Sequence, residues 1–133
     1  MLWIGIGCQQ GISLQLFDMG IMQVFQQYQL SDQDIAGIAT INTKFSEIAI
    51  REFCRIYNLP LKTFNAETLA RVCVPNPNPK FIQQLGTPSV AEASAILAGL
   101  EITSEVKLLV PKQVFRLPAE TKAMTIAIAQ IMT

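Results

Sequence analysis

Three short stretches of this chain combine residue types that can hold or transform a small molecule. The first is GIGCQQGIS at 5–13. Glycines let backbone N–H groups come close to a ligand, and the start of a helix favours an anion. Gly5, Gly7, Cys8, Gly11 and Ser13 are therefore binding candidates, although the same pattern also makes a tight strand-to-helix turn. Cys8 has the chemistry of a nucleophile, but a lone cysteine without a basic partner more often serves as a small buried hydrophobe. The second stretch is TINTKFSE at 40–47. Asn42 or Thr43 can cap a helix there, with Glu47 in its first turn near the positive end. Lys44 and Glu47 lie one turn apart. They place a base and an acid at the carboxyl end of a strand, where open α/β sheets bind ligands. Lys44 and Glu47 are candidate catalytic residues, and Thr40, Asn42 and Thr43 candidate ligand contacts. The third stretch is GTPSVAE at 86–92. Ser89 and Glu92 have the spacing of a capping box, and Pro88 sets the entry turn. Gly86 and Thr87 add a close backbone approach and a hydroxyl that a cap does not need. Gly86, Thr87, Pro88 and Ser89 are thus candidate ligand contacts, and Glu92 a further candidate base.

Composition removes whole classes of chemistry. The 133 residues contain no histidine, which excludes Ser-His-Asp and Cys-His catalysis and the usual zinc sites. Proton transfer falls to carboxylates, Lys, Tyr, Cys or water. Ten Lys plus Arg balance ten Asp plus Glu, so the basic footprint of a nucleic-acid binder is missing. Cys8, Cys54 and Cys73 are an odd set without C-x-x-C spacing, which fits free thiols in a reducing cytoplasm. The apolar start lacks the basic region of a signal peptide, and no window reaches the ~18–20 apolar residues of a membrane span. A protein half apolar, with a mean hydropathy of +0.35, has enough to fill one core over residues 1–133.

The elements that must position these residues alternate along the chain. Residues 2–6 read as a buried parallel strand, and Ser13 caps a helix with apolar residues from Leu14 to Phe25 at helical spacing. Residues 35–41 read as a second strand. Phe45–Tyr57 follows as a helix with Phe45, Ile48, Ala49, Phe53 and Ile56 on one stripe, stopped by Pro60. A third strand falls at Leu61–Phe64, and Asn65 caps a helical turn over Ala66–Val72. Pro75–Pro79 is a rigid loop, Val90–Leu100 a small-residue helix built for close packing, and residues 106–116 and 123–131 a hairpin. The fold expected is α/β: a single three-layer domain, a mixed sheet with helices on both faces and a C-terminal β-hairpin.

Taken in order, WIGIGCQQGIS, GIATINTKFSE, FNAETL, VPNPN and GTPSVAEASAIL resemble the C-terminal domain of the cobalt-precorrin-5A hydrolases of cobalamin biosynthesis (CbiG) and its stand-alone homologue CobE. The likeness runs from Trp3 to about Ala129, with GTPSVAEA at 86–93 its most diagnostic piece. It implies a protein that acts on or binds a corrin-ring (precorrin) intermediate. Other cobalamin-biosynthesis enzymes, such as precorrin methyltransferases, are the implied partners; no cofactor, metal, nucleic acid or membrane is. The full-length enzymes open a δ-lactone on the macrocycle and release a two-carbon aldehyde. At this length the stand-alone form is the nearer match. Where the family tends to be basic this chain has Gln9 and Gln10, and Asn42 stands where an Asp would offer a general base. Two roles follow. The chain is either a δ-lactone hydrolase in its own right, with Glu47 or Glu92 as base and Lys44 as electrophilic support, or a non-catalytic carrier that hands precorrins on. A nucleotide module using the Gly5–Ser13 loop is a third reading, which ATP or NAD binding would reveal.

Overall fold

The computed structural model describes residues 1–72 and 89–132. Strand β1 (Leu2–Cys8) sends Leu2, Ile4 and Ile6 to one side of the sheet and Trp3, Gly5 and Gly7 to the other, as the period of two requires. The first side packs against α1 (Leu14–Gln27) and α2 (Ile48–Ile56), with Leu16, Phe17, Phe25, Ile50 and Phe53 in the main core. The rings of Phe17 and Phe53 meet there at 4.9 Å between centroids. The second side packs against α3 (Ala66–Ala70) and α4 (Val90–Leu100), where Ala91, Ala93, Ala95 and Ala98 are fully buried. A Cβ at Gly5 would collide with the carbonyl oxygen of Ala91, so helix α4 lies directly on the β1 backbone. This close fit is what the run of alanines in α4 exists to make.

β1 sits in the middle of the sheet. Strand β2 (Ile35–Ile41) pairs parallel with it and with β3 (Leu61–Phe64). On its other side β5 (Ala123–Ile131) runs antiparallel, with Cys8 opposite Met124, and β4 (Val106–Arg116) completes the hairpin at the edge. The order is β3-β2-β1-β5-β4, a mixed sheet covered on both faces with a C-terminal hairpin, as expected from the alternation. Three of the caps read from the sequence form, while the one expected from Asn42 or Thr43 does not, since Ile41 and Glu47 hold the capping positions there without a side-chain cap bond. Ser13 Oγ accepts the Leu16 N–H at 3.0 Å, Asn65 Oδ1 that of Thr68 at 2.7 Å, and Ser89 Oγ that of Glu92 at 3.4 Å.

Two expectations need correction. The predicted helix over Phe45–Tyr57 is shorter than expected: after a 3-10 turn at Asn42–Lys44, α2 begins only at Ile48 and ends at Ile56. Glu47 is therefore the capping position rather than a first-turn residue. The buried stripe becomes Ala49, Ile50, Phe53 and Cys54, which leaves Ile48 76% exposed. Both stripes have helical spacing; the second is the one that packs in the main core. The other correction concerns the first glycine loop. β1 continues through Gly7 to Cys8, so Gly5 and Gly7 are strand residues facing α4, and only Gly11 belongs to the turn, at φ 78°. The expected proline loop at 75–79 lies outside the described residues, and so do Gly86, Thr87 and Pro88.

Candidate functional site

The loops that leave β1 and β2 at their carboxyl ends meet above the sheet. Gly11 N–H donates to Glu47 Oε1 at 2.7 Å, across 36 positions of sequence. Glu47 stands at the capping position of α2, makes no side-chain bond to its own helix, and spends its carboxylate on the neighbouring loop. The glycine can present its amide because a positive φ is open to it without strain. Between the two loops lies a cleft of about 580 Å³, lined by residues that include Gln10, Gly11, Ile12, Thr43, Lys44, Ser46, Glu47 and Glu52. That size lies within the range of small-molecule sites. The Lys44 side chain forms no hydrogen bond or ion pair with the described residues, so its ammonium is available to a ligand.

The hairpin turn braces the β1 loop from the β5 side without lining the cleft. Ser13 Oγ, besides accepting its cap bond, donates to Glu120 Oε2 at 2.9 Å. Lys122 Nζ approaches the Gly11 carbonyl oxygen at 3.5 Å, and the Ala123 N–H donates to Gln9 Oε1 at 3.1 Å. Gln9, Glu120 and Lys122 are supports that sequence reasoning missed. Only the Cys8–Met124 register brings the turn to this edge, and strand order cannot be read from local patterns.

Cys8 lies at the foot of this arrangement. Burial pushes its thiol up to about 11; Lys44 opposes the shift and Glu47 adds to it. The group is a protonated thiol at neutral pH, far from an activated nucleophile. Thr40 is fully buried in β2, donates its hydroxyl to the Ile6 carbonyl at 2.7 Å, and does not line the cleft. That corrects its expected place among the ligand contacts: its side chain alternates onto the same covered face of β2 as Ile38, away from the cleft lining. Glu92 is also fully enclosed, on the α4 side. Its Oε2 accepts the backbone N–H of Lys112 at 3.0 Å, where the β4–β5 register shifts. Ser89 is buried at the start of α4, and Val90 beside it packs over Gly7. The structure thus brings together Gly11, Thr43, Lys44 and Glu47, with Cys8 and Ser13 close by. It keeps Thr40 and Glu92 inside the protein. Among the described residues no cluster of His, Cys, Asp and Glu could hold a metal ion, and no helix is long and apolar enough to cross a membrane.

Comparison with known proteins gives this geometry a setting. The family described as "Cobalamin synthesis G C-terminus" matches residues 2–129. No curated protein matches the chain in sequence. Among solved structures it is similar to CobE, a protein from the cobalamin (vitamin B12) biosynthetic pathway, at 23% identity and a TM-score of 0.84, over 100% of this chain and 95% of that one. It is also similar to the cobalamin biosynthesis protein chiG from Agrobacterium tumefaciens str. C58, at 20% identity and a TM-score of 0.70, over the whole of both chains. A third likeness is to a cobalamin biosynthesis protein G homolog from Sulfolobus solfataricus, at 24% identity and a TM-score of 0.71. There 98% of this chain corresponds to 37% of the other. At these identities the structural likeness is one of fold.

Proposed function

This chain belongs to the cobalamin synthesis G C-terminal family, and from that premise we propose that it binds a corrin-ring precursor at the cleft between the β1 and β2 loops. It is a cobalamin-biosynthesis protein of the CobE and CbiG C-terminal type. The observation that carries the reading is the Gly11–Glu47 hydrogen bond, which holds two strand-end loops as one wall with Lys44 beside it. A corrin precursor is a flat apolar ring fringed with carboxylates. The cleft has room for one edge of such a ring. Lys44 and the donors of Gln10, Thr43 and Ser46 meet its carboxylates, while Ile12, Leu14 and Ile48 meet the apolar rim. Glu47 positions the Gly11 loop, the Asn42 carbonyl accepts the Phe45 N–H within the turn, Ser89 caps α4, and Glu92 ties α4 to β4. Free thiols at Cys8 and Cys54 accord with work in the cytoplasm beside other enzymes of the pathway, including precorrin methyltransferases.

A second reading, δ-lactone hydrolysis, is favoured by one observation: a largely buried carboxylate, Glu47, and an unpaired Lys44 line the same cleft. Glu47 would then take a proton from water while Lys44 steadies the oxyanion. The deciding experiment titrates pure protein with cobyrinic acid, a corrin ring bearing free acetate and propionate groups, and follows the corrin absorbance. Binding to the natural sequence should weaken about tenfold in Lys44→Gln, the effect of one lost charge-assisted contact of ~1.5 kcal/mol. Equal affinity in the two proteins, or no binding to either, overturns the proposal. With the lactone-bearing intermediate, acetaldehyde released by the natural sequence and not by Glu47→Gln would move the assignment to the hydrolase.

A further inference from the structure

Away from the cleft, beneath the other end of the sheet, α1 and α2 diverge and open a second groove of about 420 Å³. Ile35, the first residue of β2, lines it, whereas the cleft's residues from β2 onward begin only after that strand has ended. Its walls are mostly apolar, with Ile21, Phe25, Leu30, Phe53 and Leu59 prominent. Two carboxylates, Asp18 and Asp32, stand in this lining, and neither Lys nor Arg does. Tyr57 joins the acids to the rings: its ring meets that of Phe53 at 4.6 Å, and its hydroxyl donates to Asp18 Oδ1 at 3.2 Å. Both acids hold the Tyr57 phenol above its ordinary range, Asp18 the more strongly, so the field here is negative.

We propose that this groove binds a small organic cation, a primary or quaternary ammonium carried on an apolar body. The apolar walls gain by covering the body of such a molecule, and the half-exposed ring of Tyr57, backed by the buried Phe53, attracts its charge as aromatic rings attract cations. Asp18 and Asp32 supply the counter-charge, with Gln26 and Gln29 offering amide oxygens at the same edge. In the cleft Glu47 accepts the Gly11 N–H, Glu52 is paired with Arg55, and Lys44 stands beside them. Asp18 and Asp32 face a lining with no cation, which disfavours a macrocycle fringed with carboxylates, so this ligand differs in kind from the one assigned to the cleft. The site stands independently of that assignment.

The test is an NMR titration of the whole protein with phenethylamine and, separately, with its neutral counterpart 2-phenylethanol. The amine should shift the amides of residues 18–35 and 53–59 and bind at least about fivefold more tightly than the alcohol. The double variant Asp18→Asn with Asp32→Asn should bring the amine's affinity down to that of the alcohol. Asn at position 18 still accepts the Tyr57 hydroxyl, and the melting curve of this variant should overlay that of the natural sequence. Its cobyrinic acid titration should be unchanged, which separates failure here from failure at the cleft. Amine and alcohol binding alike, or the double variant binding the amine as well as the natural sequence does, overturns the proposal. A lysine-bearing amphipathic peptide that binds the groove more tightly than any small amine would also overturn it, by making the groove a protein interface.

Discussion

Cys8 shows how much a single side chain's surroundings decide. Its type and its place after two glycines invite a nucleophilic role, yet burial raises its thiol from an ordinary 9.0 to about 11. Cys54, on the buried side of α2, is raised to about 11 by the same cause. Alkylation of Cys8 by iodoacetamide, followed by mass mapping of its peptide, should be slow at pH 8 and climb about tenfold per pH unit toward pH 11. A rate that levels off near pH 7–8 would restore the cysteine as a reactive group. The same shift fixes a stability trend. A thiol whose folded value lies above its unfolded one keeps its proton longer in the native state, so its contribution is complete below pH 9 and is lost between about 9 and 11. Other residues were legible only in part. Ser13, Asn65 and Ser89 were readable as caps because a cap is a local bond to an amide three residues on. The partner of Glu47 was not, because Gly11 lies 36 residues away and no local pattern encodes that distance.

Among the elements, the contact of α4 with β1 constrains the fold most sharply. The alanine-rich helix was readable from composition, and so was its close packing; which strand it lies on was not. Gly5 and Gly7 looked alike in sequence, and the structure separates them. A Cβ at Gly5 meets the backbone of Ala91, which cannot rotate away, whereas one at Gly7 would find its nearest neighbours at 3.7 Å, an ordinary contact. Gly5→Ala should therefore lower stability by at least ~1–3 kcal/mol, the usual cost of overpacking, while Gly7→Ala stays within about 1 kcal/mol of the natural sequence. Urea unfolding of the two variants checks this; equal losses would mean that α4 does not rest on Gly5 as described. The start of α2 carries the opposite lesson. Phe45, Ile48 and Ile56 have helical spacing but lie at the surface, while Ala49, Ile50, Phe53 and Cys54 pack in the main core. Two apolar stripes share one segment, and packing against the sheet and α1, which local spacing does not encode, buries the second.

For the molecule as a whole, the mixed sheet and its hairpin followed from the alternation of elements, whereas the order β3-β2-β1-β5-β4 did not. That order makes the site. It sets the β1 and β2 loops side by side and brings Glu120 and Lys122 of the hairpin turn against Ser13 and Gly11. It also gives the protein two unlike ends: a cleft with Lys44 and polar donors above the sheet, and an acidic, aromatic groove beneath it. The central claim is that the upper end holds the corrin-ring precursor. Its most direct test is amide hydrogen exchange, read by mass spectrometry, with and without saturating cobyrinic acid. The account predicts slowed exchange at residues 9–14 and 42–49, with weaker protection in the hairpin turn at 117–122. Protection confined to residues 18–35 and 53–59, or none anywhere at saturation, would contradict it.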